Sequence, residues 1–387
     1  MRFLLVSTHI DQITGYSKVS YNLINELSKT SHKIFHFGFQ RHPSRASTRK
    51  YPQGVFSYDA EANEDPKEQG FGFNKIHEYI ELVNPDVVMI YNDPLIICKF
   101  IESMKHDKAT STYKLWIYLD QVYNKISKQF IEPIYTHADK IFCFSDVWSS
   151  RFSMTYGKFP DLQVLEHGLD SSFHKISNTE YIKKSLNLPA DSIVLLNANR
   201  NSSRKRLDLT IQGFSQIVGK YPNIYLIMLT NMKQGSYDLQ AIWRNEVLPE
   251  YYNRLLCIDS SGGTMSDSVI NELYNVADIG INTSDGEGFG LCQLEHLALG
   301  KPQVVTDVGT YQTFMDNKVA EFIPEADRLY LCNPFGLYSW TFRVEDVAYA
   351  MQKCIDTLDS KREAISKLKF KTWSEVCKGF IASLDRV

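Results

Sequence analysis

Residues 285–300 read DGEGFGLCQLEHLALG, and the fold can be argued outward from them. The stretch opens with acid and glycine. It closes as a helix with Leu291, Leu294, Leu297 and Ala298 on an apolar face, stopped by Gly300 ahead of Pro302. Gly286, Gly288 and Gly290 alternate with Glu287 and Phe289, so the backbone can approach a ligand without Cβ atoms intervening. The helix start that follows offers unpaired amides and the positive end of a helix dipole, a setting that suits a phosphate or diphosphate. Glu287 lies on the approach and Glu295 on the helix, so two carboxylates can face one ligand from different depths. Glycine spacing alone fits an ordinary loop before a core helix equally well.

Upstream, a strand at 279–282 delivers Glu287, and a helix at 267–275 precedes it. This half of the chain starts with a strand at 193–197, and Arg200 and Lys205 come directly after it. Two cations on a loop leaving a strand suit a diphosphate, since Arg grips oxygens through two donors and Lys supplies a compact charge. Arg204 and Arg206 alongside also allow the plainer reading of a solvated basic turn. Helix 207–220, strand 224–230, helix 237–248 and strand 255–259 continue the pattern. A small-residue loop, 260–265, ends at Met265, and a strand at 303–306 with a turn at 308–310 follows Gly300.

The first half has the same alternation. Strands are read at 3–7, 33–39, 87–91, 114–119, 140–144 and 163–165, with helices near 21–27, 75–82, 94–104, 130–136 and 147–156. Such alternation implies an α/β fold, with parallel sheets wrapped on both faces and ligands outside the carboxyl ends of the strands. Gly15 and Tyr16 lie in the loop after the first strand, Asp120 ends another, and His167 follows the last. A polar excursion, 40–72, carries Arg41, Arg45, Arg49 and Lys50, then Glu61, Glu64, Asp65 and Glu68, around a short strand at 54–58. Its basic half would suit an acidic acceptor; a solvated face is the plainer reading. Domains are expected at 1–171 and 172–370, with a terminal helix in 371–387 that lines up Trp373, Val376, Cys377, Phe380 and Leu384.

Bulk composition bounds the function classes. With 43% apolar and 22% charged residues and a net charge of −3, the chain reads as a soluble globular protein with no excess of charge that would point to nucleic acid. The start, MRFLLVSTHID, is too soon polar for a secretory signal and reads as a buried strand, and no run is long enough for a membrane span. Seven cysteines are scattered singly among mostly apolar neighbours, as expected of reduced core residues in a cytoplasmic, reducing compartment.

Glu287 and Glu295, spaced E-x7-E around GFGL, resemble the signature of retaining nucleotide-sugar glycosyltransferases of the GT-B fold, glycosyltransferase family 4 in particular. Arg200 and Lys205 keep that family's spacing of five, although Asn199 and Arg206 stand where it usually has glycines. EHGLD at 166–170, INELYNVADIGINTS at 270–284 and GKPQVVTDVG at 300–309 are similar again, so the likeness covers nearly the whole chain. It implies two Rossmann-like domains with their parallel sheets facing across a cleft, and a C-terminal helix that crosses back to the first domain. It also implies that Glu287 holds hydroxyls of the donor sugar and Glu295 those of the ribose. Arg200, Lys205 and the amides of Gly288, Phe289, Gly290 and Leu291 would stabilise a leaving diphosphate, and the loop ending at Met265 would meet the base.

In the first domain the family has a glycine pair where this chain has Gly15 and Tyr16, beside the donor phosphates and the acceptor. Asp120 falls in the region where the family commonly has a histidine near the anomeric carbon, and His167 would line the cleft. The implied reaction keeps the anomeric configuration, with the leaving phosphate taking the acceptor proton; a covalent role for Asp120 or Glu287 is the alternative. Donor and acceptor are a nucleotide-diphosphate sugar, GDP-mannose ahead of UDP-glucose, and a glycan, glycoprotein or glycolipid, the last with peripheral membrane contact. No Asp-x-Asp pair or histidine cluster suits a catalytic metal, so no cofactor beyond the donor is expected. Two rivals stay open: a nucleotide-sugar epimerase or sugar phosphorylase on the same fold, and a non-catalytic nucleotide-sugar-binding module.

Overall fold

The computed structural model describes residues 1–387 except 44–45, 63–64, 234, 260–264 and 334–335, and it leaves the side chains of 332 and 333 undescribed. Arg45, Glu64, the Cys332 side chain and most of the 260–265 loop therefore lie outside the described residues.

The chain forms two compact units, the first built from Met1–Gly168, Leu331–Leu337 and Lys371–Val387, the second from Leu169–Tyr330 and Tyr338–Phe370. In the first, β1 (Arg2–Thr8), α1 (Gly15–Leu27), β2 (Lys33–Phe39), β3 (Phe56–Asp59), α2 (Ile76–Val83) and β4 (Val87–Asn92) lead on to α3 (Pro94–Met104). Then come β5 (Lys114–Leu119), α4 (Lys128–His137), β6 (Lys140–Cys143), α5 (Asp146–Tyr156) and β7 (Leu162–Val164). The seven strands pair in parallel in the order β3-β2-β1-β4-β5-β6-β7. Every residue of β4, and all of β1 after Arg2, is buried, as a sheet covered on both faces requires.

Local sequence sets the helix starts. Thr14 and Ser17 form a capping box on α1, and Asp93 caps α3 with Pro94 in its first turn. The last helix of the chain, read from the stripe at 373–384, forms behind a second capping box of Thr372 and Glu375. It packs inside the first unit, where the Phe380 ring meets Phe142 at 5.3 Å, Phe3 at 5.9 Å and Trp116 at 6.0 Å. Burying that phenyl ring contributes about 2–3 kcal/mol.

The second unit runs α6 (Glu180–Ser185), β8 (Ile193–Asn197), α7 (Leu207–Ser215), β9 (Ile224–Leu229), α8 (Leu239–Glu246), β10 (Leu255–Ile258) and α9 (Asp267–Val276). It continues with β11 (Ile279–Asn282), α10 (Leu291–Ala298), β12 (Gln303–Thr306) and β13 (Ala320–Ile323). Its parallel sheet has the order β10-β9-β8-β11-β12-β13. The strands sort their side chains by alternation: Val194 and Leu196 join one core with Ile227, Leu273 and Tyr274, while Leu195 joins another with Leu226, Met228, Phe214 and Met351.

The alternation read from the sequence breaks off after 310. The structure continues through β13, a two-stranded ribbon of β14 (Arg328–Asn333) and β15 (Gly336–Trp340), then α11 (Val344–Asp356) and α12 (Leu358–Ile365) before the final helix, α13 (Trp373–Leu384). Buried Glu321 on β13 ties the two new helices to the sheet, through Lys353 at 2.7 Å and Lys361 at 2.8 Å. No helix among the described residues is long and apolar enough to cross a membrane.

Candidate functional site

Sheet order decides where a ligand can bind in each unit. In the second unit β8 and β11 are neighbours, yet the chain leaves β8 toward β9 on one side and leaves β11 toward β12 on the other. Loops diverging from such a pair open a crevice at the carboxyl ends of the strands. The segment after β8 carries Arg200, Arg204 and Lys205; the segment after β11 carries Glu287.

The two segments meet. Lys205 Nζ donates directly to Glu287 Oε1, and an Arg204 guanidinium nitrogen stands 3.4 Å from Oε2. Asn282 at the end of β11 donates to Oε1 at 3.1 Å, and the Ser284 hydroxyl lies 3.3 Å from it. Asn282 also donates to Gln293 Oε1 at 3.0 Å, which links the acid to α10. Glu287 is 7% exposed. Burial pushes its carboxyl up, but the Lys205 and Arg204 charges outweigh burial and hold it at about 2. Burial pulls the Lys205 ammonium down, and the Glu287 carboxylate opposes that shift.

The backbone of the Glu287 loop is held from several elements. Its carbonyls accept from the Thr306 hydroxyl at Ser284, the Ser339 hydroxyl at Asp285, the Arg204 guanidinium at Gly286 and the Thr310 hydroxyl, at 3.0 Å, at Phe289. Two glycines make room for this packing. Gly309, with φ of +63°, lies so near that a Cβ would stand 2.3 Å from the Glu287 carbonyl oxygen. Gly290, with φ of +88°, turns the chain into α10 against the Tyr311 ring, again with 2.3 Å for a Cβ. The N-terminus of α10 has no side-chain cap, which leaves its first-turn amides suited to an anion.

The other sequence candidates of this unit fall around that centre. Gly288 and Phe289 are buried in the loop, with the Phe289 ring 5.3 Å from Phe314. Gly290 and Leu291 are half-buried at the helix start, and Glu295 is buried on the helix at 1% exposure. Met265 is half-buried just ahead of α9. Arg200 is exposed, and it is Arg204 that engages the loop beside Lys205. Sequence reasoning placed Arg204 in the background. It missed Asn282, Ser284 and Tyr311, although Asn282 and Ser284 had a signal as polar residues ending an apolar strand. Ser339 had none, because it arrives from β15, 54 positions away from Asp285.

In the first unit the order reverses between β1 and β4, and Tyr16 and Asp120 gather there. The Tyr16 hydroxyl donates to Asp120 Oδ2, and its ring lies 5.3 Å from Tyr91. Burial first, and then the Asp120 charge, push the Tyr16 phenol up. Asp93, one strand over, is raised to about 6 by burial, with Asp120 adding to the rise. Gly15 is exposed at the first position of α1. His167 is a packed ring within 4.5 Å of Phe144, 5.6 Å of Trp373 and 6.0 Å of Tyr118, and burial lowers it to about 3. It is therefore neutral at physiological pH. The basic half of the excursion is used within the unit: Arg41 pairs with Asp11 at 2.8 Å and Asp59 at 2.9 Å, and Arg49 donates to the Gln12 carbonyl at 3.0 Å. These contacts hold the loop after β1 that leads to Tyr16.

Comparison with known proteins adds family and fold. Residues 192–330 match the family described as "Glycosyl transferases group 1". A D-inositol 3-phosphate glycosyltransferase of Saccharomonospora viridis is 25% identical over 196 residues, which is 49% of this chain and 44% of that protein. The chain thus matches less than half the length of this curated relative. Among solved structures, the sucrose-phosphate synthase of Thermosynechococcus elongatus superposes with a TM-score of 0.73 at 17% identity, covering 100% of this chain and 98% of that one. The Anabaena protein HepE, in complex with UDP and glucose, gives 0.71 at 14% identity with both chains covered completely. Residues 192–330, which hold the Glu287 loop, are thus similar to the group 1 glycosyl transferases, and the whole chain is an α/β protein of the GT-B type with two Rossmann-like parallel sheets.

Proposed function

We propose that the protein transfers a sugar from a nucleoside-diphosphate donor to an acceptor hydroxyl with retention of anomeric configuration. The observation that carries this reading is the buried Glu287, held by Lys205 and Arg204 at the reversal point of the second sheet, beside the uncapped start of α10. In the reaction the bond from the anomeric carbon to the diphosphate breaks and the diphosphate leaves with the electron pair. The acceptor oxygen bonds to that carbon, and its proton passes to the leaving phosphate. Lys205, Arg204 and Arg200, with the α10 amides, stabilise the charge that develops on the diphosphate, and preorganised donors of this kind usually supply the largest catalytic contribution. Glu287 holds sugar hydroxyls and Glu295 the ribose.

These cations do the work without a catalytic metal. The donor is a UDP- or GDP-linked hexose: the HepE complexes with UDP support UDP-glucose beside GDP-mannose. The acceptor is a glycan, glycoprotein or glycolipid reached from a reducing, cytoplasmic compartment, which fits six described cysteines that form no disulfide.

The test is a thermal-shift panel of nucleotide sugars followed by single-turnover transfer in chelator. A donor at 100 times its dissociation constant should stabilise the fold by about 2.7 kcal/mol. Transfer that vanishes in chelator would overturn the metal-free reading. Donor binding without hydrolysis or transfer would leave a binding module in its place, and an epimerised or phosphorolysed product would point to the other enzymes of this fold.

A further inference from the structure

Tyr311 opens a single 3-10 turn, Tyr311–Thr313, shortly after β12, and its side chain is buried at 1% exposure. Its ring forms the wall against which Gly290 turns. Glu287, Cys292, Arg204 and Asn282 surround it. Among the described residues the Asn282 side chain is the hydrogen-bonding group at its hydroxyl, and the two complete no bond of good geometry. Asn282 lies beside it, but the Asn282 amide is given to Glu287 and Gln293. A buried hydroxyl so weakly partnered is costly, and here its neighbour Asn282 is itself a donor to the acid of the site.

The neighbouring charges give it a purpose. Lys205 and Arg204 both serve Glu287, and both are also the groups a diphosphate would claim. A diphosphate that draws them away leaves the Glu287 carboxylate buried, with only the neutral donors Asn282 and Ser284. A buried carboxylate deprived of charged partners needs replacement hydrogen bonds. We propose that Tyr311 is a positioning residue of the donor site, whose hydroxyl donates to the Glu287 carboxylate when a nucleoside diphosphate takes over Lys205 and Arg204. The proposal rests on the donor reading above and adds to it an exchange of partners at Glu287.

The experiment measures UDP and GDP binding by titration calorimetry, with unfolding temperature in parallel, for wild type, Tyr311→Phe, Glu287→Gln and the double variant. The phenyl ring preserves the wall at Gly290, so Tyr311→Phe without nucleotide should unfold at the wild-type temperature or higher. Its affinity for the nucleotide that wild type binds should fall about tenfold or more, the scale of one hydrogen bond to a charged group. In the Glu287→Gln background the same substitution should change affinity by less than about twofold, since no buried anion then awaits the hydroxyl. Wild-type affinity in Tyr311→Phe, or an equal loss in both backgrounds, overturns the proposal, whatever the unfolding temperature does. Wild type binding neither nucleotide defeats the donor reading and this inference together, whereas wild type binding normally with an unaffected Tyr311→Phe defeats the inference alone.

Discussion

Lys205→Met is the perturbation that tests the Glu287 environment most directly. Methionine keeps the apolar stem of the lysine and removes its ammonium group with the hydrogen bond that it donates, so Glu287 stays buried with Arg204 at 3.4 Å as its remaining cation. A carboxyl held at about 2 instead of 4.5 is worth about 3 kcal/mol of stability at pH 7, taking 1.36 kcal/mol per pH unit. Breaking a buried pair by removing one partner costs a similar amount, about 3–5 kcal/mol. Because the folded value is depressed, the wild-type contribution is full above the unfolded pKa and is lost as pH falls from about 4.5 to about 2. In the variant, burial is opposed only by Arg204 and the neutral donors Asn282 and Ser284, so the Glu287 carboxyl moves upward and its ionised form becomes the costly one at pH 7. Protonation relieves that cost as pH falls, and the gap between wild type and variant should narrow between pH 7 and pH 5. Urea unfolding followed by tryptophan fluorescence at both pH values measures this, and adding Glu287→Gln should recover most of the loss. A deficit below about 1 kcal/mol, or one that stays constant with pH and is not rescued, refutes the reasoning.

Two further outcomes follow from the loop geometry. Gly290→Ala combines a left-handed backbone with a Cβ 2.3 Å from Tyr311, so it should destabilise the protein by about 2 kcal/mol or more in thermal or urea unfolding; an unchanged midpoint would show that the loop yields easily. Arg204→Ala should lower single-turnover transfer on the order of a hundredfold, as should Arg200→Ala and Lys205→Ala, with a smaller effect on ground-state donor binding. Near-normal transfer in Arg204→Ala would return that residue to holding the loop and nothing more.

Much of the fold was legible because a doubly covered parallel sheet writes itself as short apolar runs separated by helices. Runs such as VVMIYN in β4 and IYLIML in β9 are buried at every position, as strands covered on both faces are. The region after 310 was harder for a physical reason. The strand β13 is four residues long and includes Glu321, whose burial depends on Lys353 and Lys361 from helices that come later in the chain. By contrast α11 did carry a signal, with Val347, Ala350, Met351 and Cys354 at helical spacing along its buried face. The 54–58 strand was placed two residues early at its start, since β3 is an edge strand with two exposed positions, so that its periodicity says little.

The site shows the same division at closer range. Lys205 and Glu287 are 82 positions apart and become partners only because β8 and β11 lie side by side in the sheet. Residue type and spacing marked each of them as chemically interesting, but the pairing belongs to the strand order. Arg204 illustrates what spacing cannot supply. It shares a 3-10 turn, Ser203–Lys205, with the lysine, and the left-handed Arg206 that ends this turn redirects the chain into α7. That local geometry lets two successive cations reach one carboxylate, whereas a regular helix would point them in different directions. The Tyr311 hydroxyl is further removed still from anything a sequence displays, because how well a buried hydroxyl is partnered is a property of the packed interior. Two cations share one acid as the sheet assembles them, which leaves the trio one positive charge in excess, and in the proposed reading a diphosphate entering the site meets cations already engaged. On that proposal its binding is an exchange of partners, in which the affinity of the site depends as much on what Glu287 can fall back on as on what Lys205 and Arg204 can grip.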